Sequence, residues 1–212
     1  MSATMSSTSL QPSIRRPPAT LMIVIAAWFA AIFALGAGGA FMAPPKTPPL
    51  ALLIAFVAPI ASAVIAYRVS TRFREWVLGI EPRLLVTLNA WRWAGFTFVV
   101  LYEYGILPGF FAWPAGLGDM AIGATAPLIL GRLAESPAFV SSRAFVRWNR
   151  LGILDLAVAM TLGAIGGFLL SDQPFTTAPM ATLPMVLIPA FMVPIFIMMH
   201  LAMLAQAKRR AA

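Results

Sequence analysis

The chain has 212 residues, of which 60% are hydrophobic and 10% charged, with a formal net charge of +8 and no cysteine. An ordinary soluble domain carries roughly 25% charged residues, so this composition cannot cover an aqueous surface and points to lipid as the solvent. The missing cysteines exclude disulfides, thiolate metal sites and cysteine nucleophiles. The basic residues sit in short groups between apolar stretches, not on one continuous face, which argues against nucleic acid and for topology signals.

Residues Met1 to about Thr20 are rich in Ser, Thr and Pro, end near Arg15-Arg16 and show no apolar period, so a disordered cytoplasmic tail is expected. From Leu21 to Met42 there is no charge, enough to cross about 30 Å of hydrocarbon as a first span. The Ala- and Gly-rich stretch from Gly36 to Ala43 leaves a cleaved signal peptide as a second reading. The run Ala43-Pro44-Pro45-Lys46-Thr47-Pro48-Pro49 cannot continue a helix, and Leu50 to Tyr67 forms span two. Between Arg68 and Arg83, Phe73, Trp76, Val77 and Ile80 recur at helical spacing opposite Arg72, Arg74 and Glu75; an interfacial helix and a plain basic loop are both compatible with this.

Span three is expected over Leu84 to Tyr104 and contains Arg92; span four, over Pro108 to Leu130, contains Asp119. A second basic loop with Arg132, Arg143, Arg147 and Arg150 leads through the N-cap candidate Ser142 into span five, from Arg147 to Leu170. The uncharged stretch from Gln173 to Ala207 is too short for two spans and a turn, so a Pro-rich loop and one last span, Leu183 to Leu204, are expected. Residues 208–212, opening with Lys208-Arg209-Arg210, form a basic cytoplasmic tail.

The expected fold is therefore all-α, a polytopic bundle of six transmembrane helices in one domain. Alternating the spans puts the N-terminal Arg pair, both basic loops and the C-terminal Lys-Arg-Arg on one side, with only Lys46 among the basic residues opposite. Positive charge stays cytoplasmic, which assigns both termini to the cytoplasm of a bacterial inner membrane.

Ionisable groups inside a span cost roughly 2.5–3.5 kcal/mol at the helix centre unless paired or wetted. Counting about 1.5 Å per residue from the basic ends, Arg92 and His200 fall about 12 Å deep, Asp155 about 8 Å and Asp119 about 18 Å. Four polar groups from four helices thus share the cytoplasmic half. Arg92 is expected to neutralise one aspartate, leaving a spare acid that, with His200, exchanges protons or binds a cation; an interhelical structural bridge is the competing reading. Pro108, Pro114, Gly116 and Gly118 precede Asp119, and Pro189 and Pro194 precede His200. Such segments either break the helix and free carbonyls for a ligand or, through their glycines, let helices pack closely. Trp91-Arg92-Trp93-Ala94-Gly95 and Trp148-Asn149-Arg150-Leu151-Gly152 share a Trp-x-x-x-Gly pattern, which a duplicated hairpin or chance would both produce.

No catalytic residue, metal site or cofactor is expected. His200 is the only histidine, so haem ligation would need a methionine or a second copy of the chain. The runs Leu107-Pro108-Gly109-Phe110-Phe111-Ala112-Trp113-Pro114-Ala115-Gly116-Leu117-Gly118-Asp119 and Ile188-Pro189-Ala190-Phe191-Met192-Val193-Pro194 through His200 resemble segments of a family of small bacterial polytopic membrane proteins. The resemblance covers spans three to six. It implies a multispan membrane protein and carries no activity or functional residue.

Two classes of function remain. One is a small proton-linked carrier or permease subunit, working as a homo-oligomer, with a polar site of Arg92, Asp119, Asp155 and His200. The other is a non-transporting membrane protein that binds a lipid, quinone or haem, or scaffolds a membrane complex. Membrane lipids are partners in either. An intramembrane enzyme ranks below both, for want of a nucleophile arrangement.

Overall fold

The computed structural model describes residues 19–211, whose regular elements are all helices joined by turns and loops, with no strand among them. The N-terminal tail expected over the first twenty residues lies outside the described residues, with Arg15 and Arg16, except that Ala19 and Thr20 already belong to the first helix. Six helices are long and apolar enough to cross a membrane.

The first, α1 (Ala19–Ala37), is shorter than its uncharged run. Gly39 takes a positive φ of 71° just beyond it, and Ala40 N–H donates back to Leu35 O, so the chain turns before Met42. After the proline-rich loop, α2 (Leu50–Val69) makes the second span, and Ser70 both ends it and caps α3 (Thr71–Gly79) by accepting from Phe73 N at 3.2 Å. The stretch after span two is therefore a helix. Its Phe73 and Trp76 rings lie 5.7 Å apart, and Val77 is buried.

The third span, Pro82–Glu103, is not one regular helix. It comprises α4 (Pro82–Asn89), a 3-10 stretch (Ala90–Gly95) and α5 (Phe96–Glu103). Gly105, with φ 66°, reverses the chain into α6 (Gly109–Glu135). A short 3-10 turn, Pro137–Ser141, leads to α7 (Arg143–Ala164), whose N-cap is Ser142, accepting from Phe145 N at 3.1 Å. The helix starts four residues earlier than Arg147 because the cap satisfies its first turn directly. It runs on as a π turn, Ile165–Leu169. A second π turn, Ile188–Met192, opens the last span and passes into α8 (Val193–Ala211).

Two expected boundaries move for physical reasons. Lys208, Arg209 and Arg210 are not a tail but the last turn of α8, where cations suit the carbonyl end of the helix. Leu183 to Leu187 precede the last span in a loop that folds back on the bundle. Met180 and Val186 in that loop are buried, and Thr177 Oγ1 donates to Gly163 O at 2.6 Å.

α6 is central, packing against α4, the 3-10 stretch, α5 and α7, while α8 packs against α7 and α2. The ends bearing the basic loops are tied together: Arg83 donates to Leu133 O at 2.9 Å and Arg210 to Pro137 O at 2.8 Å. At the other end Lys46 pairs with Asp172 at 3.2 Å, and its hydrogen bond holds the Asp172 carboxyl below the usual carboxylate range. α1 and α2 lie at the periphery. α2 has no buried residue, and Phe56 and Ile60 are its contacts with the core around Leu156, Val193 and Ile197. The outward Leu, Ile and Val side chains of these two helices suit hydrocarbon.

The basic end is closed by one polar device. Gln206 on α8 donates to both Val77 O and Ile80 O, at 3.0 and 2.9 Å, capping the carbonyl end of α3. Gln206→Leu leaves Ile80 O without this donor and Val77 O with only the long 3.4 Å bond from Ile80 N, and the purified variant should lose about 1–3 kcal/mol in a detergent unfolding titration.

Candidate functional site

Two apolar layers divide the bundle. Leu85, Val86, Ile122, Ala126, Phe145 and Met203 belong to the layer nearer the basic end, and Phe98, Phe111, Ala112 and Ala115 to the layer beyond it. Along α4–α5, α6 and α7 alike, a polar residue stands between the positions contributed to the two layers, and on α8 it stands within the first layer, between Met199 and Met203. These residues are Arg92, Asp119, Asp155 and His200.

Arg92 is the hub, with a side chain fully withdrawn from the surface. Its Nε donates to Asp119 Oδ1 at 2.7 Å, its Nη2 donates to Asp155 Oδ2, and its Nη1 donates to Gly152 O at 3.3 Å and meets His200 Nε2 at 3.2 Å. The 3-10 stretch places it there: three residues per turn narrow the backbone, and α6 comes close enough for Gly123 to lie against the backbone of Arg92 and Trp93.

Arginine has donors only, so His200 Nε2 must accept. Its Nδ1 then carries the proton and donates to Asn149 Oδ1 at 2.9 Å, while Asn149 Nδ2 donates to Phe145 O at 2.9 Å. His200 is thereby fixed as the neutral Nδ1–H tautomer, with the edge of Trp148 against its ring at 5.4 Å. Both nitrogens are engaged, and neither is free to ligate a haem iron. Among the described residues no group of three or more His, Asp or Glu is placed to hold a metal ion.

Each partner of Arg92 rests on a glycine. Asp119 lies over Gly95, Asp155 over Gly118 and His200 over Gly152, all closer than a Cβ would permit. Gly116 likewise faces Gly95 O and Val99. Gly116, Gly118 and Gly123 of span four therefore serve close packing.

Three expectations change here. Neither acid stands apart, because Arg92 holds both aspartates instead of choosing one, and the excess negative charge is shared by the pair. Span four is not broken: Pro108 is the N-cap of α6, Pro114 lies within its second turn, and the helix continues to Glu135. The four residues meet although their expected depths differed by about 10 Å. With the observed helix ends, counting 1.5 Å per residue puts Arg92, Asp155 and His200 about 15–18 Å in, and Asp119 about 24 Å along its longer helix. Pro189 and Pro194 do mark an irregular backbone, the π turn that opens the last span and its first α-helical turn.

Sequence reasoning missed Asn149, which orients His200, and Asn89, buried one turn before Arg92, whose Nδ2 donates to Leu85 O and whose Oδ1 has no hydrogen-bond partner. The Trp-x-x-x-Gly pattern was the available signal. Its two tryptophans are not equivalent, Trp91 being 70% exposed and Trp148 buried. The next residues, Arg92 and Asn149, are both buried in the cluster, and the glycines Gly95 and Gly152 each receive a polar side chain from a later helix.

Fold and site together define a six-helix bundle organised around an Arg–Asp–Asp–His cluster between two apolar layers. The chain belongs to the family described as Domain of unknown function (DUF8737), whose model matches residues 49–207. The match takes in the whole polar cluster and leaves α1 outside. Comparisons with curated proteins and with solved structures found no match.

Proposed function

We propose that the chain is an integral protein of a bacterial inner membrane, with both termini in the cytoplasm, and that its cluster is the proton-accepting site of a small carrier or permease subunit that works as a homo-oligomer. One observation carries this reading. Two carboxylates share one buried guanidinium, and with His200 neutral the cluster has a formal charge of −1 when both acids are ionised. An uncompensated charge in hydrocarbon is costly, and one proton removes it. The Asp119 and Asp155 side chains remain 18% and 15% exposed, against 0% for Arg92, so the acids are the reachable part of the cluster. A cationic substrate would compete with the proton for the same excess charge, which is the elementary basis of exchange.

The positive-inside distribution supports the orientation, and the peripheral α1–α2 pair leaves apolar surface for lipid or a second copy. A second reading has its own observation. All three guanidinium nitrogens have partners, as expected of a structural clamp in a non-transporting protein that binds a lipid or quinone or scaffolds a complex.

The test is reconstitution in vesicles holding a pH-sensitive dye, challenged with a panel of amino acids, organic cations and short organic acids. At least one compound should change the lumenal pH, and the Asp119→Asn/Asp155→Asn variant should be silent while still inserting and melting as a folded protein. Undiminished flux in that variant sinks the carrier reading. Wild-type vesicles that respond to nothing in the panel favour the clamp.

A further inference from the structure

At the basic end, outside the cluster, two adjoining grooves of about 320 and 260 Å³ share Ser141, Val146 and Arg150. The first adds Arg143 and Arg147 to its lining, the second Lys208 and the apolar Leu204 and Ala207. Neither is lined by Arg92, Asp119, Asp155 or His200.

The arrangement follows from helical spacing. Arg143, Arg147 and Arg150 stand four and three residues apart, which puts all three guanidinium groups on one face of α7. Phe145, Trp148 and Asn149 occupy the buried face. Lys208 comes from the last turn of α8.

Arg132 pairs with Glu135 at 3.5 Å, Arg83 lies 3.9 Å from Glu81, and Arg92 is doubly paired. Among the described residues Arg143, Arg147, Arg150 and Lys208 have no ion pair. What sets these cations apart from Arg68, Arg72, Arg74 and Arg209, which also have no ion pair among the described residues, is that they line one concavity. Four like charges around one concavity repel each other, and an anion seated among them relieves the repulsion. Three of the four are arginines, whose planar donor pairs match phosphate oxygens. The start of the 22-residue α7 at the same place adds a favourable dipole end.

The floor decides what kind of anion. Val146, Leu204 and Ala207 make it apolar, and the groove sits where the last span gives way to charged residues. A free phosphate has no use for that floor, and a nucleic acid backbone would need a longer stripe of charge. We propose that this groove seats the phosphate of an anionic phospholipid, the arginines and Lys208 on its oxygens and the apolar floor under its glycerol and first acyl carbons. The proposal rests on the membrane placement proposed above and is independent of the cluster's proton chemistry.

Native mass spectrometry of the full chain, released from vesicles of equal phosphatidylglycerol and phosphatidylcholine, tests it. The wild type should retain phosphatidylglycerol over phosphatidylcholine by about tenfold or more. Arg147→Gln/Arg150→Gln should bring the ratio close to one, and Arg150→Gln alone should fall between, giving a readout if the double variant folds poorly. Arg68→Gln/Arg72→Gln, the same charge loss on exposed residues elsewhere at the basic end, should keep the wild-type ratio. Equal retention of the two lipids, or an equal drop in both double variants, overturns the proposal. So does displacement of the lipid by inorganic phosphate alone, which would make the groove a free-phosphate site. Extraction of the chain from membranes by carbonate would instead reject the membrane placement, a failure separable from these.

Discussion

Arg92→Met should cost the fold about 3–5 kcal/mol, the usual penalty for removing one partner from a buried charged group. Methionine keeps the apolar stem of arginine only as far as Nε, so the loss combines the missing charge and donors with a small cavity where the guanidinium stood. Asp119 and Asp155 would face each other across the vacated site, the Gly152 carbonyl would lose a donor, and His200 Nε2 would keep a lone pair with nothing to receive. Tryptophan fluorescence during unfolding in detergent reads the loss, since Trp148 touches His200 directly. Arg92→Met/Asp119→Asn/Asp155→Asn should recover the electrostatic share of it, because a neutral cluster no longer needs the cation, and should leave only the smaller cost of the cavity. Arg92→Lys should fall between the two, since a single ammonium cannot span both carboxylates with the reach of a planar fork. A wild-type melting curve for Arg92→Met, or a triple variant no better than the single one, would contradict the hub role given to this arginine.

The rescue also separates the two readings of the cluster. A structural clamp tolerates replacement of the whole charged set by neutral groups, because only the internal balance matters. A proton site does not: the triple variant would fold and carry no flux. Stability and transport therefore diverge in one protein, without the uncompensated buried guanidinium that Asp119→Asn/Asp155→Asn leaves behind.

The bundle was legible in the sequence because length and apolarity are properties of a run, and lipid tolerates few alternatives to a helix. The number of spans followed from that. Their ends followed only in part, since a turn depends on single residues: Ser142 was readable as a cap and does start α7, four residues before the expected Arg147, whereas nothing marked Gly39 as the stop of α1 before Met42. The candidate site was legible as a set. Arg92, Asp119, Asp155 and His200 each stood out as ionisable groups in apolar surroundings, and the structure brings all four together. Their pairing was hidden because it depends on where the glycines fall across helices. Gly118 and Gly95 decide that both acids reach one guanidinium, and nothing in the local sequence of either acid records which glycine faces it. Asn149 was hidden for a related reason. A neutral amide has no obvious cost in a span until its partner is known.

Gly123→Ala should destabilise the bundle by about 1–3 kcal/mol and displace the site at the same time. The added Cβ would lie 2.8 Å from Trp93 Cα and 2.9 Å from the carbonyl carbon of Arg92, with Trp93 N nearer still. These are backbone atoms, and no rotamer change moves them aside. Either α6 or the 3-10 stretch must shift, and both routes stretch the 2.7 Å bond between Arg92 Nε and Asp119 Oδ1, whose ends sit on those two elements. Gly131→Ala on the same helix is the control. Nothing lies within 4 Å of its new Cβ, so it should be neutral or gain up to about 1 kcal/mol from helix propensity. Since propensity alone would favour alanine at both positions, the difference between the two unfolding curves isolates the close approach at Gly123. If the two variants are equally stable, the backbone contact does not hold Arg92 in place, and the cluster is positioned by its ion pairs alone.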